Sequence, residues 1–266
     1  MFEKSKYPFF RKTAANAVLK SLGIRKDSCV LAMRPPAVCE RSGYSLFSNK
    51  PWACGPERGM HMIKNIIFDM GNVLMRFDPM ALASHFASSQ EDQKLLCEHV
   101  FSGPEWYALD AGSIDEEDAL SSILSMMPDR LHAAAEEAFR NWDHYFGPIQ
   151  ETNDYARSLK ERGYKLYLLS NAGVRFARYR TQIPVYDCFD GVIVSAYVRQ
   201  VKPDRAIYET LFSTYELEPA ECFFIDDNEQ NIAAARDCGM QGLVFTGPDP
   251  LPSFPPLFET YLFEKR

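Results

Sequence analysis

Two patterns of apolar positions alternate along this chain. Short continuous apolar runs rich in β-branched and aromatic residues read as buried strands. They occur at Ile63–Asp69 (IKNIIFD), Lys165–Ser170 (KLYLLS), Gly191–Ser195 (GVIVS), Cys222–Asp226 (CFFID) and Gln241–Phe245 (QGLVF). Between the later runs, apolar residues recur at helical spacing over Glu151–Glu161, Asp204–Tyr215 and Glu229–Asp237, the last followed closely by Gly239, a residue suited to ending a helix. Strands alternating with helices predict a parallel sheet covered on both faces.

One interval breaks the alternation. Residues 79–147 hold no strand-like run and instead read as helices over Met80–Ser88, Asp92–Phe101, Asp115–Met126 and Asp129–Tyr145, with Pro128 at the start of the last. An all-helical insert of this kind, placed right after the first strand, is expected to lie over a ligand site, because open parallel sheets bind ligands beyond the carboxyl ends of their strands. The expected organisation is therefore an extension at 1–61, an α/β core at 62–78 and 148–247, a helical cap at 79–147, and a tail at 248–266 rich in proline.

Composition changes this picture at the start of the chain. Residues 1–61 carry 11 Lys and Arg against 4 Asp and Glu, leaving 18 and 32 for the remainder. The extension lacks sustained periodicity and is crossed by loop signals such as Pro35-Pro36, Pro51 and Gly55-Pro56. It is expected to be poorly ordered. Met60 and Met62 stand just before the first strand, and codons for Glu57-Arg58-Gly59 can be purine-rich like a bacterial ribosome-binding site, so a mis-assigned start is the alternative expectation.

The net charge of -7 gives no reason to expect nucleic acid, and no apolar run approaches the ~20 residues that span a bilayer. The seven cysteines form no C-x-x-C pair, which fits small buried thiols in a reducing cytoplasm. Neither G-x-x-x-x-G-K-[ST] nor G-x-G-x-x-G is present, which argues against a nucleotide-binding module.

The chemistry-bearing residues gather at strand ends. Asp69 closes the first strand, where a carboxylate can attack phosphorus or bind a cation; at its ordinary pKa of ~3.9 it is expected to be ionised. Gly71, just beyond, is expected to let the backbone turn sharply. Ser170-Asn171 follow the second strand and offer a hydroxyl and an amide to phosphate oxygens, or alternatively cap a helix. Lys202 stands just before Pro203, where the next helix is expected to begin, and can neutralise a phosphoryl group during transfer. Asp226-Asp227-Asn228 end the fourth strand. Adjacent carboxylates repel one another unless a cation compensates, and a hard divalent ion suits oxygen ligands.

Taken in order, FDMGNVL, LYLLSNAG, VKPDRAIYE and FFIDDNEQNIAAARDCGM resemble the four motifs of the haloacid dehalogenase (HAD) superfamily over residues 62–246. The resemblance implies a Rossmann-like parallel sheet of strand order 5-4-1-2-3 with an inserted C1-type helical cap. It is nearest to bacterial sugar-phosphate phosphatases, including the α-glucose-1-phosphate phosphatases. It implies Asp69 as nucleophile and, with the Gly71 carbonyl, Asp227 and Asp226, as a Mg2+ ligand. Asn72, Ser170, Asn171 and Lys202 would hold the phosphoryl group of a small phosphorylated metabolite.

One departure stands out. Most phosphatases of this superfamily carry a second Asp two residues after the nucleophile as general acid and base, and here that position is Gly71. A weak family member that binds a phospho-ligand or a protein is therefore the alternative expectation. Dehalogenase and phosphonatase readings are weaker, because Met70 stands where dehalogenases usually carry an aromatic and no Schiff-base lysine is identifiable in the insert. The aromatic and histidine-bearing insert offers Trp106-Tyr107, Asp110-Ala111-Gly112-Ser113, Asp143 and His144 as groups that could reach the site.

Overall fold

Asn65–Phe68 (β1) are four consecutive buried residues, the pattern of a strand covered on both faces. In the computed structural model, which describes residues 63–246, β1 lies at the centre of a five-stranded parallel sheet. Its neighbours are Lys165–Ser170 (β4) and Cys222–Asp226 (β6), with Gly191–Val194 (β5) and Gln241–Val244 (β7) at the edges, in the order β5-β4-β1-β6-β7. Numbered as the five sheet strands, this is the expected 5-4-1-2-3. The expectations for 1–61 and 248–266 fall outside the described residues.

Alternation along each strand divides the interior into two layers. On one face Ile66, Phe68, Leu166, Leu168, Phe223 and Ile225 pack with Ala156 and Leu159 of the helix Gln150–Glu161 and with the helical insert. On the other, Ile67, Leu169, Ile193 and Phe224 pack against the helices Arg205–Tyr215 and Glu229–Asp237 through Ile207, Tyr208, Leu211, Ile232 and Ala235.

The insert leaves and rejoins the sheet through two short crossovers that run side by side. Met75–Arg76 (β2) pairs antiparallel with Gly147–Pro148 (β3). The buried Asn153 side chain and the Ile149 N–H both donate to the Leu74 carbonyl, each at 2.8 Å, which fixes this junction.

Within the insert, the helices Pro79–Ser84 (α1), Gln90–Leu96 (α2), Pro104–Asp110 (α3), Glu116–Met126 (α4) and His132–Asn141 (α5) follow one another. Asp78, Ser89 and Asp115 cap α1, α2 and α4 through their side chains. The core helices continue the count as α6 (Gln150–Glu161), α7 (Phe176–Tyr179), α8 (Ser195–Val198), α9 (Arg205–Tyr215) and α10 (Glu229–Asp237).

Several boundaries differ from the sequence reading. The helix expected over Asp129–Tyr145 is broken into a tight turn at Asp129–Leu131, α5, and a second tight turn at Trp142–Tyr145. Helix α3 was not anticipated, although Pro104 at its first position is the usual starting signal. Pro203 lies outside α9. Asp204, in extended conformation, occupies the N-cap, and the Lys202–Pro203 peptide is cis.

The insert docks on the core through backbone as well as side chains. Gly112 has φ +64, and a Cβ built on it would stand 2.6 Å from the Ala196 carbonyl oxygen. The Ser195 hydroxyl donates to the Asp110 carbonyl, and arginines at the start of α7 and within it reach the insert, Arg175 to Glu116 at 2.8 Å and Arg178 to Asp143 at 2.6 Å. Gly112→Ala is expected to cost about 1–3 kcal/mol through this clash and the unfavourable φ. A denaturant titration checks this, and an unchanged midpoint would show that the docking is looser than described.

Candidate active site

The carboxyl ends of the central strands converge on a cavity of about 380 Å3 between sheet and insert. Asp69 follows β1 directly, its N–H donating to the Ile225 carbonyl at 2.9 Å, so the chain delivers its carboxylate to the sheet edge. Asp226 ends β6 beside it. Lys202 arrives from the α8–α9 loop, and its Nζ lies 2.8 Å from Asp69 Oδ1 and 2.7 Å from Asp226 Oδ2. The lysine is buried, and so is Asp226.

Asp226 is almost saturated with donors. Besides Lys202, its oxygens accept from the Asn228 N–H at 2.8 Å and from Asn231 Nδ2 at 3.0 and 3.1 Å. Its geometry is that of a group holding the lysine in place. Asp227 is exposed on the cavity side, with Asn72 Nδ2 3.3 Å from its Oδ2. Asn171 does for the lysine's backbone what Asp226 does for its head: its side chain accepts from Lys202 N–H at 2.8 Å and donates to Lys202 C=O at 2.9 Å.

The site therefore brings together Asp69, Gly71, Asn72, Asn171, Lys202 and Asp227 along the cavity wall. Ser170 is buried at the end of β4, and the cavity is lined by Asn171, Ala172 and Gly173 rather than by that hydroxyl. The sharp turn expected at Gly71 is made by Asn72, which takes the left-handed conformation (φ 52), while a Cβ at Gly71 would meet no atom within 4 Å. Asn72 tolerates that conformation because its short side chain bonds locally, accepting from Phe77 N–H at 2.9 Å.

Electrostatics follow from burial. Desolvation pushes the Asp69 carboxyl up to about 7; Lys202 opposes this, while Asp226 and Asp227 add to it. Its ionisation at neutral pH thus does not follow from its ordinary pKa. Burial also raises Asp227, with repulsion from Asp226 next. Lys202 is raised despite burial because two carboxylates face it.

Three carboxylate oxygens, one each from Asp69, Asp226 and Asp227, lie within 4.8 Å of one another. Mutually repelling oxygen donors at this spacing fit a hard divalent cation. Asp69 and Asp227 have the freer oxygens and would hold it, with Asp226 set back by its existing partners.

Asp110 was missed as a site residue, although its segment was singled out. It ends α3, lines the cavity, and is raised to about 7, first by burial and then by repulsion from Asp69, with the Gly173 N–H and Lys202 acting the other way. A carboxylate at a helix C-terminus opposes the helix dipole, and that broken local rule was the available signal. Asp143 lies instead in a bidentate pair with Arg178, and neither it nor the exposed His144 lines the cavity.

The family model for haloacid dehalogenase-like hydrolases matches residues 63–239. This chain belongs to that family. It is 30% identical over 186 residues to a sesquiterpene phosphatase of Aspergillus oryzae, covering 69% of this chain and 90% of that one. It is 23% identical over 189 residues to a D-ribitol-5-phosphate phosphatase of Bacteroides thetaiotaomicron, covering 68% and 90%. A HAD family enzyme of Bacteroides thetaiotaomicron, solved in complex with magnesium and inorganic phosphate, superposes with TM-score 0.51 at 23% identity, covering 68% of this chain and 93% of that one. The HAD fold with phosphatase relatives makes the chain a hydrolase. No helix among the described residues is long and apolar enough to cross a membrane.

The raised carboxyls give a pH signature. A group whose folded pKa lies above its unfolded value stabilises fully below the unfolded value, and that contribution is lost as pH climbs through the folded one. With Asp69 and Asp110 raised to about 7, the melting temperature in chelator is expected to fall between about pH 4 and pH 7. Excess Mg2+ should reverse the fall, more at pH 8 than at pH 5, because only the ionised carboxylates bind it. Calorimetry across pH, with Asp69→Asn as reference, checks this. A Mg2+ effect that is flat with pH, or identical in the variant, would place the cation elsewhere.

Proposed function

We propose that this protein is a Mg2+-dependent phosphatase that cleaves a small phosphorylated metabolite through an aspartyl-phosphate formed on Asp69. The observation that carries the reading is the buried Lys202 ammonium bridging Asp69 and Asp226 beside a third carboxylate, Asp227. Bound Mg2+ would supply charge neutralisation at the phosphoryl oxygens.

The chain's own residues would do the rest. Asp69 Oδ attacks phosphorus, the P–O bond to the substrate alcohol breaks, and water later attacks phosphorus to release phosphate and restore the carboxylate. Lys202 faces the charge that develops on the transferring group. Asn72 and Asn171 keep Asp227 and Lys202 in position. The insert acts as a cap that limits water access.

Gly71 leaves the departing alkoxide without the usual proton donor. Of the two insert carboxyls that line the same cavity, Glu116 is paired with Arg175, while Asp110 lies close enough to Asp69 to feel its charge, and we assign Asp110 the proton transfer to the leaving oxygen and later from the attacking water. This assignment favours turnover over the alternative of a catalytically weak binder, which rests on Gly71.

The resemblance to D-ribitol-5-phosphate phosphatase supports a sugar phosphate or related polyol phosphate as substrate, the class expected from the sequence motifs; the resemblance to a sesquiterpene phosphatase supports an apolar one.

Asp69→Asn is expected to lower kcat by on the order of 10⁴-fold or more with the fold intact. Phosphate release with Mg2+ checks it, and undiminished turnover by the amide would end the covalent reading. Asp110→Asn should cost about 10²–10⁴-fold on an alkyl phosphate but far less on p-nitrophenyl phosphate, whose leaving group needs no proton. Equal losses on both would reduce Asp110 to a structural or binding role.

A further inference from the structure

Beyond Asp69, Lys202 and Asp227, the cavity is lined by a set of interlocked aromatic rings, with Asp110, Glu116 and Arg175 among them. Phe77 lies 5.3 Å from Trp106, Trp106 lies 5.2 Å from Trp142, and Trp142 lies 5.3 Å from both Phe146 and Tyr179, mostly edge to face. Edge-to-face packing locks each ring against its neighbours, so the wall is preformed.

The charged groups that reach this wall already have partners. Glu116 accepts from Arg175 at 2.8 Å, and Arg175 also donates to the Phe139 carbonyl. The Gly173 N–H bonds Asp110.

A polyol placed here would press several hydroxyls onto ring faces. Each hydroxyl left without a partner costs roughly ten- to hundredfold in affinity. A hydrocarbon meets no such cost and gains roughly fourfold for each methylene it buries.

We propose that the phosphorylated alcohol is a π-rich hydrocarbon of the prenyl type, seated on the Phe77–Trp106–Trp142 wall with its phosphate at Asp69. This rests on the phosphatase reading and names its substrate class against the polyol alternative. The rings also stack favourably on unsaturated carbon, which adds to the burial of the tail.

The test compares kcat/KM of the full chain with Mg2+ on geranyl monophosphate, ribitol 5-phosphate and acetyl phosphate. Acetyl phosphate has too small a tail to reach the wall and reports on the phosphoryl centre. Geranyl monophosphate is expected to exceed ribitol 5-phosphate by about 100-fold or more. Trp106→Leu and Phe77→Leu, two changes that keep an apolar side chain, should each shrink that ratio at least about tenfold.

If acetyl phosphate is turned over and ribitol 5-phosphate equals or beats geranyl monophosphate, the substrate inference is overturned and the phosphatase reading stands. If none of the three is hydrolysed, the phosphatase reading falls and the inference falls with it. A preference that survives both leucine substitutions would also overturn it, by locating the selectivity away from this wall.

Discussion

A single buried ammonium holds the centre of this molecule together. Lys202 stands between Asp69 and Asp226, and none of the three would be tolerable alone in that position, because an unpaired buried charge is strongly destabilising. The surrounding structure is arranged to keep that arrangement intact. Asn171 clamps the lysine's backbone, Asn231 and the Asn228 N–H saturate Asp226, and the ring of Phe224 lies 5.3 Å from the ammonium. Of the two carboxylates that pair with the ammonium, Asp69 is the less satisfied, and it is the one that lines the cavity.

The sheet explains why these groups meet. β1, β4 and β6 run parallel and in register, so residues distant in sequence end at the same edge. The fold was legible in the sequence for the same reason. Short continuous apolar runs alternating with helical periodicity point to a doubly covered parallel sheet, and three of the five runs end in a residue with chemistry to offer, Asp69, Ser170 and Asp226. Strand limits moved by no more than two residues at either end.

The insert was legible only in outline. Its helical character could be read from periodicity, but α3 could not, because its seven residues expose Tyr107 and leave no buried stripe. That is where Asp110 lies. Its place in the cavity depends on tertiary contacts between the end of α3 and both Gly173 and Ser195 at the start of α8, which spacing along the chain does not encode. Gly71 misled in the other direction. A glycine two residues past a strand reads as a turn former, yet the turn falls on Asn72, whose side chain makes the left-handed conformation affordable by bonding within its own loop.

The paired crossovers β2 and β3 have a wider consequence. Because the chain enters and leaves the helical insert at adjacent points, everything between residues 77 and 146 is a single closed excursion from the sheet. Asp69, Lys202 and Asp227 lie on the sheet side of that doorway, and the aromatic wall, Tyr179 apart, belongs to the insert and its junction. In the proposed reading, substitutions among the insert's rings can change which molecule is admitted while Asp69, Lys202 and Asp227 keep their places, and Asp110 is the point where insert and chemistry remain tied.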